Sequence, residues 1–487
     1  MSRRKIIFII IAAAALLRFY AIGSKSLWLD EVMSVGRTQG SFGQMLGEVA
    51  KADGHPPAYY ILQYATRSFP KNEAVVRLPS ALAGICLVWV VYCIGRRLLG
   101  PLPGAAAAGL SAVSAFQVYY SQEARPYALA MLLAALSLWL LLRIVDRPWQ
   151  GKPSAFPAAF AHYAAYTLVS ALMLYTHYYL AFALLAEAAV VAVRFRAARP
   201  VVPWWLASRV AAAALFLPYL PVVLARAGNL PDVPQQPWHQ VAAALPEAFV
   251  RMLTGVDLAA LDLDPMFSAV LYAAAFAPLA AGAWALRRKP GIAAALAAYV
   301  AVPAVCVVLM PWRLQIFEPK HLAFAAPVLM LAAAAALHGC AKRPLPWLMV
   351  GLLAAFNVFA LTWYYDPGFQ KERWPEAGAV VAENAGSYDA IVFNPPWLMY
   401  PFSHYYEGRK LIEARGLPSS DSNGRFARFW YVEELRSNVA PPDLQMRREV
   451  LNYPAQEFNF GGDSVKQALL PGRNGTIVVR LFGRETR

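Results

Sequence analysis

The sequence predicts a polytopic α-helical membrane protein of about 11 transmembrane helices with a small α/β extramembrane domain at its C-terminal end. Three observations carry that expectation. Of 487 residues, 59% are hydrophobic and only 15% charged, far from the balance of a soluble domain. Apolar runs recur at the length of about 20 residues that a helix needs to cross a bilayer core of about 30 Å. After residue 365 this pattern stops and shorter helical and strand-like stretches alternate.

In chain order the candidate spans are Ile6 to Ile22, Val75 to Ile94, Gly104 to Tyr120, Tyr127 to Val145, Ala158 to Tyr175, Leu180 to Val193, Trp204 to Leu224, Phe267 to Leu286, Ile292 to Pro311, His321 to Leu337 and Leu345 to Tyr364. Basic clusters lie at every second boundary: Arg3-Arg4-Lys5, Arg96-Arg97, Arg147 with Lys152, Arg194-Arg196-Arg199, Arg287-Arg288-Lys289 and Lys342-Arg343. The positive-inside rule then places the N-terminus in the cytoplasm, and an odd number of spans places the C-terminus on the outer, periplasmic or extracellular side of the cell (inner) membrane. The net charge of +15 is explained by these clusters, so nucleic acid is not an expected partner. The first run could be a signal peptide, but no small-residue cleavage pattern follows it, which favours an uncleaved helix.

The transmembrane region is expected over residues 1–365. Its first outer loop, 23–74, contains two stretches read as helices along the membrane surface. "SFGQMLGEVAKA" has helical apolar spacing behind a capping Ser, and "PPAYYILQYATRSF" starts after a Pro pair. All four Cys (Cys86, Cys93, Cys306, Cys340) lie in or beside spans, so disulfides are not expected to brace the outer segments. The second domain is expected over 366–487, with helices at "RWPEAGAVVAENAG" and "WLMYPFSHYYEG" and strands at "YDAIVFN", "FWYVEEL" and "TIVVRLFG", enough for one small layered core. "NGT" at 474–476 matches a glycosylation pattern but reads better as a turn before a strand.

Several ionisable residues stand out at the expected outer face. Asp30 and Glu31 follow the first span beside Trp28; as plain helix-terminal charges they would complement a helix dipole. His55, in "DGHPPAYY", could stiffen a turn, with Asp53 nearby. Glu123 and Arg125, in "SQEARPY", could pair at the interface, yet ionisable residues at lipid depth are functional candidates. His177 sits among interfacial aromatics in "YTHYY". Arg313 and Lys320 bracket the last outer loop, where they could snorkel or stabilise an anionic leaving group. Arg18, within the first span, is expected to be paired or to snorkel outward.

The ordered series "LLRFYAIGSKSLWLDEVMS", "HPPAYYILQYATRSF", "AVVRLPSALAGICLVWVVYCIGRRLLG", "YYSQEARPYALAMLL", "YTHYY" and "FEPKHLAFAAP" resembles the bacterial protein mannosyltransferase-like branch of the GT-C glycosyltransferases, the group that includes the lipid A aminoarabinose transferase. The resemblance implies a GT-C fold and transfer of a sugar from a polyprenyl-phosphate donor to a lipid, glycan or protein acceptor at the outer membrane surface. It implies Asp30 as general base, with Glu31 orienting it, binding a sugar hydroxyl or capping the next helix, and Glu123 as a second acidic residue. By the same resemblance His55 takes the place of a metal-binding Glu, and His239, in "QPWHQ", lies where that group has a metal-binding His, so a divalent metal is one expectation. His55, Arg125, His177, Arg313 and Lys320 are the substrate- and phosphate-binding candidates. Alternatives from other classes are a glycan ligase or oligosaccharyltransferase-like enzyme, a transporter, and a non-catalytic assembly protein.

Overall fold

The computed structural model describes residues 2–69, 72–146, 156–228, 236–258, 261, 263–310, 317–340, 342–386, 389–409, 412–413, 428–435, 447, 455–460, 463–473 and 475–483. Each of the eleven apolar runs contains helix. Among the described residues seven helices are long and apolar enough to cross a membrane, and Pro101–Val113 and Leu180–Val193 are shorter apolar helices. The chain divides into two compact units: residues 1–20, 38–69 and 76–364 form the first, and 21–37, 70–75 and 365–487 the second. The second unit thus adds two N-terminal segments to the part that follows the last span.

In the first unit, the run expected as one span over Gly104 to Tyr120 is two helices, Pro101–Val113 and Ala115–Ser121, broken at Ser114. Backbone carbonyls freed by such a break need donors when no water is at hand. Arg18 supplies them: its guanidinium donates to the carbonyls of Ser111 (3.2 Å) and Ala112 (3.1 Å) and to Ser121 Oγ (3.2 Å). The expected outward snorkelling is therefore corrected: Arg18 is fully buried and points into the bundle, because a capped helix break satisfies its donors there. Gln122 does the reciprocal service, donating to the last carbonyls of the Arg3–Phe19 region at Leu17, Arg18 and Tyr20 while its own carbonyl accepts from Tyr364 Oη.

Close helix approach depends on small residues, as is usual between membrane helices. A Cβ on Gly104 would lie 2.4 Å from the Arg96 nitrogen, and one on Gly84 would lie 2.1 Å from Ser121 Oγ and 2.7 Å from Arg18 Nε. Gly84→Ala is accordingly expected to disturb the Arg18 cap and cost about 1–3 kcal/mol by overpacking. A thermal melt in detergent checks this; an unchanged midpoint would mean that the break tolerates displacement.

The two helices expected within residues 23–74 are present. Phe42–Ala52 begins with a full capping box in which Ser41 accepts from Gln44 N–H and Gln44 accepts from Ser41 N–H. It ends at carbonyls 49 and 50, which accept from Arg226. Ala58–Ala65 follows the Pro pair. Further along, an apolar cavity of about 570 Å³ lies among the helices Trp238–Thr254, Pro265–Ala285, Pro290–Leu309 and Ala326–Ala334, lined by residues such as Phe249, Leu279, Val300 and Leu329.

In the second unit the described strands are β1 (Ala390–Asn394), β2 (Ile412–Glu413), β3 (Arg428–Leu435), β4 (Ala455–Gln456), β5 (Phe458–Phe460), β6 (Asp463–Val465), β7 (Gln467–Pro471) and β8 (Thr476–Gly483). One sheet has the order β2-β1-β3-β8-β4, with β7 also paired to β8; β5 and β6 form a separate hairpin. β1 runs parallel to β2 and β3, whereas β8 is antiparallel to β3. Alternation selects one face: Ile391, Phe393, Trp430, Val432, Val479 and Leu481 pack with Trp374, Val381 and Phe402 from the helices Trp374–Asn384 and Met399–Tyr405. Asn474 lies outside the described residues, as do Arg147 and Lys152.

Candidate functional site

Asp30 and Glu31 occupy the first turn of the Leu29–Arg37 helix in the second unit. Glu31 is fully buried, and its Oε2 accepts from Trp28 N–H at 3.4 Å. This is the backward reach of a capping box, from the third helical residue to the cap. Capping is one of the roles the sequence left open for Glu31. Asp30 stays half-buried, on the same turn. The stretch before it is tied down residue by residue: Lys25 Nζ donates to the Phe369 carbonyl (3.0 Å), Ser26 Oγ to the Glu372 carbonyl (2.5 Å), Leu27 N–H to Tyr405 Oη (2.7 Å) and Leu29 N–H to Glu372 Oε2 (2.9 Å).

The first unit holds a second constellation, assembled from four places in the sequence. His55 follows Asp53 in an Asx-type turn, its N–H donating to Asp53 Oδ1 at 2.8 Å. Its ring Nδ1 lies 3.2 Å from the same carboxylate oxygen and 3.1 Å from Arg125 Nη2. Arg125 also donates to Tyr60 Oη (3.4 Å), and its carbonyl accepts from Ser80 Oγ, which in turn meets Tyr59 Oη. The turn carrying Arg125 is thus locked to the Ala58–Ala65 helix. Glu123 is buried on this turn, its carbonyl accepting from Arg125 N–H.

His177 lies on the turn between Phe156–Thr176 and Leu180–Val193. Its ring centroid is 4.9 Å from that of His55 and 5.8 Å from that of Tyr127, and its Nδ1 accepts from Tyr179 N–H at 3.3 Å. Tyr179 stacks on His321 at 4.9 Å, and Lys320 beside it pairs with Glu318 at 2.7 Å. Sequence reasoning named His55, Arg125, His177 and Lys320 and missed Tyr60, Tyr127, Tyr179 and His321. The signal for the last was its place directly after Lys320 in "FEPKH".

Burial, foremost, holds His177 well below the usual histidine range; His55, His321, Arg125 and Lys320 push it the same way. His177 is therefore neutral near pH 7. Because the unfolded chain takes up a proton near pH 6.5 that the folded ring resists, His177 makes stability fall as pH drops below about 6.5 and has no such effect above it. His177→Gln is expected to flatten the dependence of melting temperature on pH between 7 and 5. An equally steep dependence in the variant would overturn this assignment.

At His55, Nδ1 has the Asp53 carboxylate and the Arg125 guanidinium within hydrogen-bond reach. Among the described residues no group of three His, Cys, Asp or Glu side chains could hold a metal ion. His239 is exposed on the first turn of Trp238–Thr254, its ring edge-on to Trp238. Arg313 lies outside the described residues.

Residues 53–222 match the family described as dolichyl-phosphate-mannose-protein mannosyltransferase. That span contains His55, Glu123, Arg125 and His177. No curated protein matches the sequence. Among solved structures, the chain is similar to ArnT from Cupriavidus metallidurans in the apo state, at 12% identity and a TM-score of 0.58 with 97% of each chain covered. It is similar to ArnT from the same organism bound to undecaprenyl phosphate, at 13% identity, a TM-score of 0.56 and the same coverage. An oligosaccharyltransferase from Archaeoglobus fulgidus, in complex with Zn and sulfate, matches at 12% identity and a TM-score of 0.53 over 87% of this chain and 68% of that one. Agreement over nearly the full length of both chains extends the likeness beyond the matched family segment, and the chain is a membrane protein with the GT-C glycosyltransferase fold.

Proposed function

We propose that the protein is a membrane glycosyltransferase that moves a sugar from a polyprenyl-phosphate donor to an acceptor hydroxyl on the outer face of the membrane. The observation that carries this reading is the cluster of Arg125, Lys320, His55 and His177, in which Arg125 and His177 are buried and Lys320 and His55 half-buried. The Arg125 guanidinium and the Lys320 ammonium are the cations there that suit a phosphate whose charge grows as the sugar departs. The undecaprenyl phosphate bound by ArnT is a ligand of this class. The apolar cavity of about 570 Å³ has the size and lining for a stretch of isoprenoid chain.

Asp30 is the proposed general base. It would take the proton of the acceptor hydroxyl as the oxygen attacks C1 and the C1–O bond to the phosphate breaks, leaving polyprenyl phosphate and inverting the anomeric centre. Glu31 serves this step by holding the turn, and Glu123 by holding the Arg125 loop. One test identifies the donor and distinguishes a lipid, glycan or protein acceptor: purified protein in nanodiscs is incubated with a panel of polyprenyl-phosphate sugars and each acceptor class, and free polyprenyl phosphate is measured by mass spectrometry. Release that depends on one donor supports the reading. No release from any monosaccharide donor, with release from a lipid-linked oligosaccharide, would replace it with a glycan ligase.

A further inference from the structure

We propose that Glu372, on the segment that follows the last span, is a positioning residue for the base Asp30. The inference rests on the reading of Asp30 as base. The Glu372 carboxylate is fully buried. Its Oε2 accepts two hydrogen bonds, from Leu29 N–H at 2.9 Å and from Trp374 Nε1 at 2.6 Å. Leu29 is the first residue of the helix that carries Asp30, and its amide is one of the donors that a helix start leaves without an intrahelical partner. A charged acceptor there binds the amide strongly and complements the helix dipole.

The anchor is held in turn. Trp374, which donates to the same oxygen, is fully buried in the core between the sheet and its helices. The Glu372 carbonyl accepts from Ser26 Oγ, and Lys371 Nζ lies over the Trp28 ring, 5.8 Å from its centroid. Tyr405 adds a second clamp, accepting from Leu27 N–H and donating to Glu73 Oε1 at 3.0 Å. Rotation of the first helical turn would break these bonds together, so the direction of the Asp30 side chain is set by residues more than 300 positions away in sequence.

The test compares Glu372→Ala with Glu372→Gln in the full chain. Glutamine can present one carbonyl oxygen to both donors, so it keeps the anchor without the charge. Glu372→Ala is expected to lower kcat about 100-fold, the scale of a misplaced reacting group, with donor KM little changed. Glu372→Gln should recover most of that loss. A second readout needs no turnover: backbone amide exchange over residues 25–37 should quicken in Glu372→Ala and stay slow in Glu372→Gln. Unchanged exchange in Glu372→Ala, wild-type kcat in that variant, or a loss confined to KM would each overturn the proposal. An inactive wild-type protein would instead sink the glycosyltransferase reading, and the exchange measurement would still decide the role of Glu372.

Discussion

Asp30→Asn is expected to lower turnover roughly 1,000-fold while donor binding and melting temperature stay near those of the wild-type protein. The carboxamide has the shape of the carboxylate but cannot take a proton from the acceptor hydroxyl. At the helix start, Glu31 meets Trp28 N–H and Glu372 meets Leu29 N–H. Folding and chemistry are thereby separated at adjacent positions: Asp30→Asn should lose rate without stability, and the effect is read as kcat with saturating donor alongside a thermal melt. A variant that keeps wild-type kcat would remove Asp30 from the mechanism.

Arg125→Ala should act on the other side of the reaction, raising donor KM by about 10- to 100-fold, the worth of a charge-assisted hydrogen bond of roughly 1.5–3 kcal/mol. The guanidinium is nearly buried, held between Tyr60 Oη and His55 Nδ1. Lysine at this position retains the charge but not the two-armed geometry, so Arg125→Lys should recover only part of the loss. Binding of polyprenyl phosphate alone, followed by titration calorimetry in detergent, checks the assignment without requiring turnover. Equal affinity in wild type and Arg125→Ala would move the phosphate away from this cluster.

Some of this architecture was legible from residue order. Apolar runs of membrane-spanning length located the helices, because burying backbone polar groups in lipid demands helices of that length. The capping Ser before "FGQMLGEVAKA" was readable, and the strands of "YDAIVFN", "FWYVEEL" and "TIVVRLFG" were readable from β-branched and aromatic content. The residue types at His55, Arg125, His177 and Lys320 drew attention because charge near lipid is costly to keep. All these signals are local: each depends on neighbours within one or two turns of the chain.

What residue order left undecided depends on pairings across long separations. Nothing near Ser114 indicates that Arg18, almost a hundred positions earlier, accepts responsibility for the broken helix. Nothing in "LWLDEV" names Glu372 as the acceptor for Leu29 N–H, and the stacking of Tyr179 on His321 joins two segments about 140 positions apart. Hydrophobic periodicity states how much of each element must be buried, but not which partner meets its polar groups. The amino-acid sequence alone therefore determined the membrane class, the helices and the residue types available for chemistry. The tertiary structure decided which of those residues meet, because a buried donor or charge takes whichever partner packing brings within hydrogen-bond distance.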